Sequence, residues 1–285
     1  MKSSDLKYTA PPVPRQCRLD TVAACNARCE FCHINKAMDR RGRMPLEMVE
    51  RALDEVAAWP QPLAEIVPVN YGELFLRGDW LEVLRLAEKK LPHTPIVLPT
   101  NGAMVGYEEL KALLLVKTLK LVNFSINAFF DESYERLMHL PKETMLRVRQ
   151  LAARIHQERP DIIVWASMAF SSLWITDLER DRFIASWQDI AVPQINSATF
   201  CDGKEKPWHP VSLPCRSIFS DIVLGWDGKI GSCCYDAGLT LDLGHWPKDG
   251  SLLELWNGPR LKALRELHNT QRRTEIDLCC SCTFA

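Results

Sequence analysis

The sequence has no cysteine between residues 33 and 200, although it contains eleven cysteines in all. No thiol ligand for a metal can therefore come from the middle of the chain. The cysteines before this stretch are Cys17, Cys25, Cys29 and Cys32, and those after it are Cys201, Cys215, Cys233, Cys234, Cys279, Cys280 and Cys282. The sulfur forms two groups at opposite ends of the chain, as two separate metal sites would require.

Other absences narrow the class of protein. No run approaches the ~18 consecutive apolar residues of a membrane-spanning helix, so no membrane partner is expected. The first residues, MKSSDLKYTAPPVPRQ, lack the apolar core of a secretion signal. Together with the many cysteines, this favours metal binding in a reducing cytoplasm over disulfides. The formal net charge of −1 gives no electrostatic indication of nucleic-acid binding.

Cys25, Cys29 and Cys32 lie in the run CNARCEFC, a C-x3-C-x2-C spacing. Three thiolates from one short loop suit a soft metal or an iron–sulfur centre. A cube of four irons needs four ligands, so three cysteines leave one iron open to a small chelating molecule. Zinc is the alternative, and His33 could supply a nitrogen ligand. Because structural zinc sites more often pair C-x2-C with a second such pair or with histidines, the spacing favours iron–sulfur.

The cysteine-free middle alternates short β-branched runs with stretches that have apolar residues at helical spacing. The predicted strands are Leu19–Ala24, Glu65–Asn70, Pro95–Pro99, Lys120–Ile126, Ile162–Ala169 and Ile190–Asn196. The predicted helices are Pro45–Ala58, Asp79–Lys90, Tyr107–Leu115, Glu132–Arg159 (broken near Pro141) and Ile175–Asp189. This alternation predicts an α/β fold with a parallel sheet and right-handed crossovers. Six such units favour a partial barrel over a full barrel of eight.

Small or polar residues stand where these strands end, which is where parallel α/β folds carry their chemistry. Gly72 would let the backbone approach a ligand closely, and Glu73 could accept hydrogen bonds from an ammonium group. Ser125 and Asn127 alternate with apolar neighbours, so on a strand they would share one face. The candidates at the strand ends are Gly72, Glu73, Asn101, Ser125, Asn127 and Ser167. Ordinary turns and an internal hydrogen-bond network are the alternative interpretations of these positions.

The cysteine spacing after a strand resembles that of radical S-adenosylmethionine (SAM) enzymes. In that family the spacing holds a [4Fe-4S] cluster whose open iron binds SAM, and an aromatic residue such as Phe31 precedes the third cysteine. The resemblance implies a (β/α)6 partial barrel. It also implies that Gly72 and Glu73 match a Gly-Gly-Glu motif that binds the methionine amine, although Tyr71 replaces the first glycine.

The same resemblance gives the remaining strand-end residues a role. Asn101 lies in a Thr-Asn-Gly sequence that recurs at the end of the third strand in the family. Similar polar residues at the positions of Ser125, Asn127 and Ser167 contact the ribose or the carboxylate of SAM in related enzymes. The sequence thus predicts one SAM site at the mouth of the barrel.

The C-terminal third carries the second group of cysteines. A Gly-Trp-Asp-Gly turn between two short runs predicts a β-hairpin, Ile222–Leu224 with Lys229–Ser232. A short helical turn follows near Leu252–Trp256, and Pro259 can open a further helix to about His268. The chain then reaches a C-x2-C sequence close to its last residue.

This arrangement resembles the SPASM/twitch subdomain of radical SAM enzymes, and the shorter twitch form with one auxiliary [4Fe-4S] cluster fits the cysteine count. The predicted ligands are Cys215, Cys233, Cys279 and Cys282, while Cys234 and Cys280 are rivals by adjacency. Four thiolates would coordinate such a cluster fully. A structural zinc is the alternative for this group.

These interpretations divide the chain into an extended lead-in (1–16), a radical SAM partial barrel (17–200), a linker (201–214) and an auxiliary-cluster subdomain (215–285). The resemblance implies reductive cleavage of SAM to a 5′-deoxyadenosyl radical, which takes a hydrogen atom from a small-molecule substrate. The leading expectation is oxidation of a sugar- or cyclitol-like alcohol, with the auxiliary cluster as electron acceptor. An external one-electron reductant such as flavodoxin or ferredoxin would then be a partner.

Three alternatives stay open at this level. A radical epimerase would need a thiol hydrogen donor, for which Cys201 is the first candidate and Cys17, Cys234 and Cys280 are others. Modification of a ribosomal peptide is the second. A non-enzymatic iron–sulfur or zinc scaffold is the third.

Overall fold

One sheet of eight strands runs through the residues that the computed structural model describes, which are 6–33, 41–197, 212–280 and 282. The strands are β1 (Gln16–Leu19), β2 (Glu65–Val67), β3 (Ile96–Thr100), β4 (Leu119–Ser125), β5 (Ile163–Phe170), β6 (Val192–Ser197), β7 (Asp221–Leu224) and β8 (Ile230–Gly231). Their order across the sheet is β6-β5-β4-β3-β2-β1-β7-β8. Neighbouring strands pair in parallel except β7 and β8, which are antiparallel.

Helices connect these strands and cover the sheet. They are α1 (Leu46–Ala57), α2 (Trp80–Lys90), α3 (Tyr107–Leu114), α4 (Asp131–Met138), α5 (Glu143–Glu158), α6 (Asp177–Trp187), α7 (Ser217–Ser220), α8 (Leu252–Trp256) and α9 (Pro259–Asn269). In α1, Val49, Ala52, Leu53 and Val56 form the buried stripe expected of an amphipathic helix. The predicted α/β fold with a parallel sheet of partial-barrel type is confirmed. Within the described residues, no helix combines the length and apolar character needed to cross a bilayer.

The first strand lies earlier in the chain than the sequence predicts. The prediction was Leu19–Ala24, whereas β1 is Gln16–Leu19 and pairs with β2 on one side and β7 on the other. The apolar residues Val22 and Ala23 are buried outside the strand, and Val22 forms an isolated bridge with Arg43. The apolar residues after Leu19 are therefore buried without being part of the strand. The strand begins at Gln16, where β2 and β7 supply backbone hydrogen-bond partners.

The sequence predicts the break in the long helical stretch and all but one of the short elements described next. The long helical stretch divides near Pro141 as predicted, with His139 ending α4 in a left-handed conformation at φ 50°. The hairpin β7–β8 and the helices α8 and α9 also lie where the sequence places them. Helix α7 was missed, because four residues are too few to show a helical period.

The hairpin extends the main sheet instead of standing apart from it. Strand β7 pairs in parallel with β1 in the register Gln16↔Asp221 to Leu19↔Leu224. The sheet therefore continues from the strands around the front cysteines into the segment that carries the rear cysteines.

A carboxylate of α1 holds the C-terminal segment against the barrel. Glu55 accepts a hydrogen bond of 2.7 Å from the indole Nε1 of Trp246 and a second one from the backbone N–H of Leu252. Trp246 is buried, and the guanidinium of Arg51 lies 5.4 Å from the centre of its ring. This contact fixes the loop before α8.

The N-terminal lead-in adds a second attachment. The backbone of Tyr8 and the side-chain amide of Asn269 exchange hydrogen bonds of 3.0 and 2.9 Å. The indole Nε1 of Trp256 donates to the carbonyl oxygen of Pro11 at 2.9 Å. The residues before β1 thus lie along α8 and α9.

Replacing Glu55 with Ala should lower the free energy of unfolding by about 1–3 kcal/mol, because it leaves the buried indole N–H of Trp246 without its acceptor. Denaturant unfolding under anaerobic conditions, followed by circular dichroism, measures the change. Glu47→Ala is the matched control, since Glu47 is an exposed residue of the same helix. Equal unfolding free energies for the two variants would contradict the role given to Glu55.

Candidate functional site

A cavity of about 290 Å³ opens at the carboxyl ends of the parallel strands. Its walls come from the loop after β1, from the ends of β2 to β6 and from the segment after β8. The predicted residues among its lining are Cys25, Cys29, Phe31, Cys32, Gly72, Glu73, Asn101, Ser125 and Asn127. The fold therefore brings these residues from four separate stretches of chain to one place.

The three front thiols are close enough to affect one another. Burial raises the pKa of Cys25 to about 11, with Glu73 and Cys32 adding to the rise. Burial also raises the pKa of Cys29, and the neighbouring Cys32 and Cys25 add to it. Such thiols keep their protons until a cation binds, so metal loading of this loop would release protons.

This donor set fits an iron–sulfur cluster better than a single ion. In the described part of the chain, no three His, Cys, Asp or Glu side chains surround a point that one metal ion could occupy. The thiolates of a four-iron cube bind separate irons and so stand further apart than the ligands of one ion. Three thiols lining one cavity therefore match the number of ligands of a cube with one open iron, and polar side chains line the same cavity.

Gly72 makes a contact that no other residue could make. A Cβ atom at this position would lie 1.7 Å from the carbonyl oxygen of Val22 and 3.0 Å from that of Ala24. Next to it, the backbone N–H of Glu73 donates to the oxygen of Ala24 at 2.8 Å. The sequence predicted that Gly72 lets the backbone approach a ligand; the structure shows it in close contact with the backbone that leads into Cys25.

The carboxylate of Glu73 joins the ends of β2 and β3. It accepts hydrogen bonds of 2.8 Å from the hydroxyl of Thr100 and from the backbone N–H of Asn101, and a longer one of 3.4 Å from the N–H of Phe75. Only 1% of Glu73 is exposed, and this burial raises its pKa to about 7, against the opposing effect of the three donors. The group therefore changes charge near neutral pH.

Asn101 touches the cysteine loop. Its side-chain N–H group donates to the Asn26 side-chain oxygen at 2.9 Å and lies 3.5 Å from the sulfur of Cys25. Its own side-chain oxygen accepts from the N–H of Ala103 at 2.8 Å. Asn101 is therefore held in place beside the first thiol.

Ser125 and Asn127 both line the cavity, although not by sharing a strand face. Strand β4 ends at Ser125, and Asn127 has a left-handed backbone with φ 61°. The side chain of Asn127 accepts from the N–H of Ala169 at 2.8 Å and contacts the sulfur of Met138 at 3.1 Å. Ser167 is placed differently: its hydroxyl donates to Asn123 at 2.5 Å, and it is not among the residues that line the cavity.

The sequence missed Met138 and Tyr235 as cavity residues. His33, which it offered only as a possible zinc ligand, packs edge-on against the rings of Tyr71 and Tyr235, with centroids 6.3 and 6.1 Å apart. Met138 lies with its sulfur 3.4 Å from that of Cys29. No periodic pattern marks these residues, since each depends on a loop or helix end brought to the cavity by tertiary contacts.

The rear cysteines form a second, closed group. The buried members are Cys215, Cys233, Cys279 and Cys282, which are the four predicted ligands. Burial raises the pKa of Cys279 to about 12, and the thiols of Cys282 and Cys215 add to that rise. Burial likewise raises the pKa of Cys233, and the thiols of Cys234 and Cys215 add to that rise. Four buried thiols within electrostatic reach of one another fit a fully coordinated cluster.

The remaining cysteines are placed differently. Cys234 lines the front cavity, and its sulfur lies 3.9 Å from the hydroxyl of Ser217. It also lies within electrostatic reach of Cys233 and Cys215. The sulfur of Cys280 lies 3.0 Å from the carbonyl oxygen of Asp277. Cys17 is wholly buried in β1, which raises its pKa to about 12. Cys201, the first candidate for a hydrogen donor, lies outside the described residues.

Two buried basic side chains adjoin the rear group, and the sequence did not single them out. The ring of His268, in the last turn of α9, accepts the backbone N–H of Cys215 at its Nδ1 and lies 3.7 Å from the sulfur of Cys279 at its Nε2. Burial, with a smaller effect of Arg273, lowers the pKa of His268 to about 4. Arg273 is wholly buried and donates to the carbonyl oxygen of Leu213 at 2.8 Å.

Two models of known protein families match the chain. A family model described as the Radical SAM superfamily matches residues 20–169. A second model, SPASM, described as an iron-sulfur cluster-binding domain, matches residues 215–283. No curated protein sequence matches the chain.

Solved structures share the fold at low identity. BtrN in complex with AdoMet and 2-DOIA has a TM-score of 0.68 at 13% identity, covering 98% of this chain and 94% of that one. Native anSMEcpe with bound AdoMet and Cp18Cys peptide has 0.67 at 16%, covering 94% and 89%. Streptococcus suis SuiB bound to precursor peptide SuiA has 0.66 at 14%, covering 96% and 70%.

Replacing Gly72 with Ala should disrupt the front site, because the new methyl group must displace the backbone of Val22 and with it the cysteine loop. We expect a lower melting temperature and loss of front-site iron after anaerobic reconstitution, with a destabilisation of about 1–3 kcal/mol or more. Iron and sulfide analysis with circular dichroism measures both. Gly78→Ala is the control, since nothing lies within 4 Å of a Cβ there; native iron content in Gly72→Ala would refute the steric argument.

Proposed function

The chain belongs to the radical SAM superfamily and carries an iron–sulfur SPASM region in its C-terminal part, and from this we propose that it is a radical SAM oxidoreductase that oxidises an alcohol carbon of a small sugar- or cyclitol-like molecule. The observation that carries the proposal is the pairing of an open site with a closed one. Three thiols line a cavity that several polar side chains also line, whereas the other four predicted ligands are buried.

When bound, the front cluster and SAM would supply one electron and then a 5′-deoxyadenosyl radical that removes a hydrogen atom from the substrate. Cys25, Cys29 and Cys32 would hold three of the irons. The side-chain N–H group of Asn101, 3.5 Å from the sulfur of Cys25, would donate to that thiolate and keep it oriented.

Glu73 and the polar strand ends would hold SAM itself. The carboxylate of Glu73 lines the cavity, and its oxygens keep spare acceptor capacity for an ammonium group beyond the bonds already made. Ser125 and Asn127 line the same cavity and would bind the ribose hydroxyls or the carboxylate. These groups would place the reactive carbon against the substrate and exclude water.

The rear thiols support the oxidative outcome. A carbinol becomes a ketone when it loses one hydrogen atom, one proton and one electron, so the reaction needs an electron acceptor. Cys215, Cys233, Cys279 and Cys282 would hold a cluster that takes this electron. Cys234, which follows Cys233 in the chain, lines the front cavity, so the two sites are separated by one residue of backbone at this point.

The position of Cys234 favours one further candidate function. Its lining of the front cavity, outside the four-thiol group, would suit a hydrogen-atom donor that returns hydrogen to the opposite face of a substrate radical. The reaction would then be epimerisation. The SuiB and anSMEcpe structures contain bound peptides, and a peptide product is a further outcome of the experiment below.

Anaerobic reaction with dithionite, SAM and a panel of sugars and aminocyclitols should give a product two hydrogens lighter, with 5′-deoxyadenosine as co-product. Mass spectrometry measures both. The Cys25→Ala, Cys29→Ala, Cys32→Ala triple variant should form no 5′-deoxyadenosine. A product of unchanged mass that takes up deuterium from heavy water would replace oxidation by epimerisation, and incubation with Cys234→Ala would then identify the donor.

SAM should bind more weakly as the pH falls below the raised pKa of Glu73. Above a pH of about 7 the carboxylate is charged and attracts the ammonium group of SAM; below it the protonated acid does not. We expect an affinity up to about tenfold lower at pH ~6 than at pH ~8, as the charged fraction falls. Equilibrium binding of SAM to the reconstituted protein measures this, and Glu73→Gln should remove the pH dependence. The same pH dependence in both proteins would exclude Glu73 as its source.

A further inference from the structure

We propose that His268 and Arg273 are positioning residues for the rear cluster, which raise its reduction potential and so make it a better acceptor of the substrate electron. The inference rests on the proposed function, because it takes Cys215, Cys233, Cys279 and Cys282 as the ligands of an iron–sulfur cluster.

The hydrogen bonds of His268 fix the position of its proton. Its Nδ1 accepts the backbone N–H of Cys215 at 3.0 Å, so in the neutral ring the hydrogen is on Nε2. Nε2 lies 3.7 Å from the sulfur of Cys279, which makes that hydrogen a donor to the thiolate. His268 thus ties the segment before α7 to the C-terminal C-x2-C, and it directs one N–H group at a ligand sulfur.

The ring of His268 is held in this orientation. It is wholly buried, and the ring of Phe219 packs edge-on against it with centroids 6.5 Å apart. A side chain packed in this way cannot turn its N–H group to solvent. The hydrogen bond to Cys279 is therefore a fixed property of the site.

Arg273 supplies a full positive charge at the same place. It is wholly buried, donates to the carbonyl oxygen of Leu213 at 2.8 Å, and lies 3.5 Å from that of Cys282. Its charge acts on the thiols of Cys215 and Cys279, where it favours the ionised form. A guanidinium keeps its charge in a protein interior, so it acts as a permanent cation beside the ligands.

The opposing charge nearby is that of Asp236. This buried carboxylate acts on Cys233 and Cys279 in the reverse sense to Arg273. Its oxygens accept from the N–H and hydroxyl of Thr240 and from the N–H of Leu241, at 2.8, 3.0 and 3.1 Å. Three donors thus spread the charge of Asp236, while Arg273 acts on Cys215 and Cys279.

The direction of the effect follows from the charge of the cluster. A cluster bound by four thiolates becomes more negative when it gains an electron, so a cation or an N–H donor at its sulfurs stabilises the reduced form more than the oxidised form. Hydrogen bonds to the sulfurs, local charge and burial are the factors that set the potential of such clusters. The two side chains should therefore raise it.

The experiment measures the potential of the rear cluster by redox titration followed by electron paramagnetic resonance. The full-length chain carries Cys25→Ala, Cys29→Ala and Cys32→Ala, so that the rear cluster is the only one observed and SAM is not needed. In this background, Arg273→Gln removes the charge and Arg273→Lys keeps it. Arg272→Gln is the matched control, since Arg272 is the exposed neighbour that pairs with Glu275.

The histidine variants separate the two functions of the ring. His268→Gln can place an amide N–H near the position of Nε2, and His268→Asn can place an acceptor near that of Nδ1 without a donor to Cys279. We expect Arg273→Gln and His268→Asn each to lower the ratio of reduced to oxidised cluster about tenfold at a fixed potential, which is about 59 mV for one electron. The variants Arg273→Lys, His268→Gln and Arg272→Gln should stay close to the parent protein.

Several results would overturn the inference. Potentials equal to the parent's in Arg273→Gln and His268→Asn, at full iron content, would do so. Equal loss of iron from Arg273→Gln and Arg273→Lys, and likewise from His268→Asn and His268→Gln, would show that the two residues act in folding alone. Resonance Raman spectra give a second measurement: the Fe–S bands should shift in heavy water for the parent and shift less for His268→Asn, in which the backbone N–H of Tyr235 still lies 3.4 Å from the sulfur of Cys233. If the parent itself held zinc or no iron, the rear-cluster part of the proposed function would fall together with this inference.

Discussion

Strand β1 forms backbone hydrogen bonds along both of its edges, and the positions of the front and rear thiol groups depend on this pairing. Its backbone pairs with β2 across residues 16–18 and with β7 across residues 16–19. The front thiols follow directly from one end of this strand, and the rear thiols flank the hairpin that begins with β7. A short strand of four residues can hold both because each of its edges has a parallel partner. The bonds from Glu55 to Trp246 and from Tyr8 to Asn269 then keep the C-terminal part against the barrel.

Burial dominates the electrostatics of both thiol groups. It raises the pKa of Cys25, Cys29, Cys233 and Cys279, and the neighbouring thiols add to the rise. In both groups a cation must bind before the thiols ionise, so metal binding and folding stabilise each other there. The groups differ in access: the front thiols line an open cavity, whereas the rear thiols lie in the interior beside Arg273 and His268.

Much of this architecture could be predicted from the sequence, because local signals carry it. Cysteine spacing marks both thiol groups, and apolar periodicity marks the helices and most strands. The bounds of β1 could not be predicted, since apolar Val22 and Ala23 are buried by the returning segment near Arg43 and not by sheet neighbours. The reason for Gly72 was also hidden, because it is a steric contact with a backbone fifty residues away in the chain.

The sequence also did not show that His268 and Arg273 lie beside the rear thiols, and the reason is similar. His268 and Arg273 come from α9 and the turn after it, and nothing in their local pattern shows that Cys215 and Cys279 lie beside them. The continuous pairing of β1 with β7 has a mechanical consequence as well. Residues 16–19 and 221–224 form four consecutive backbone pairs, so the strand before the front cysteine loop and the strand after Cys215 are parts of one rigid sheet.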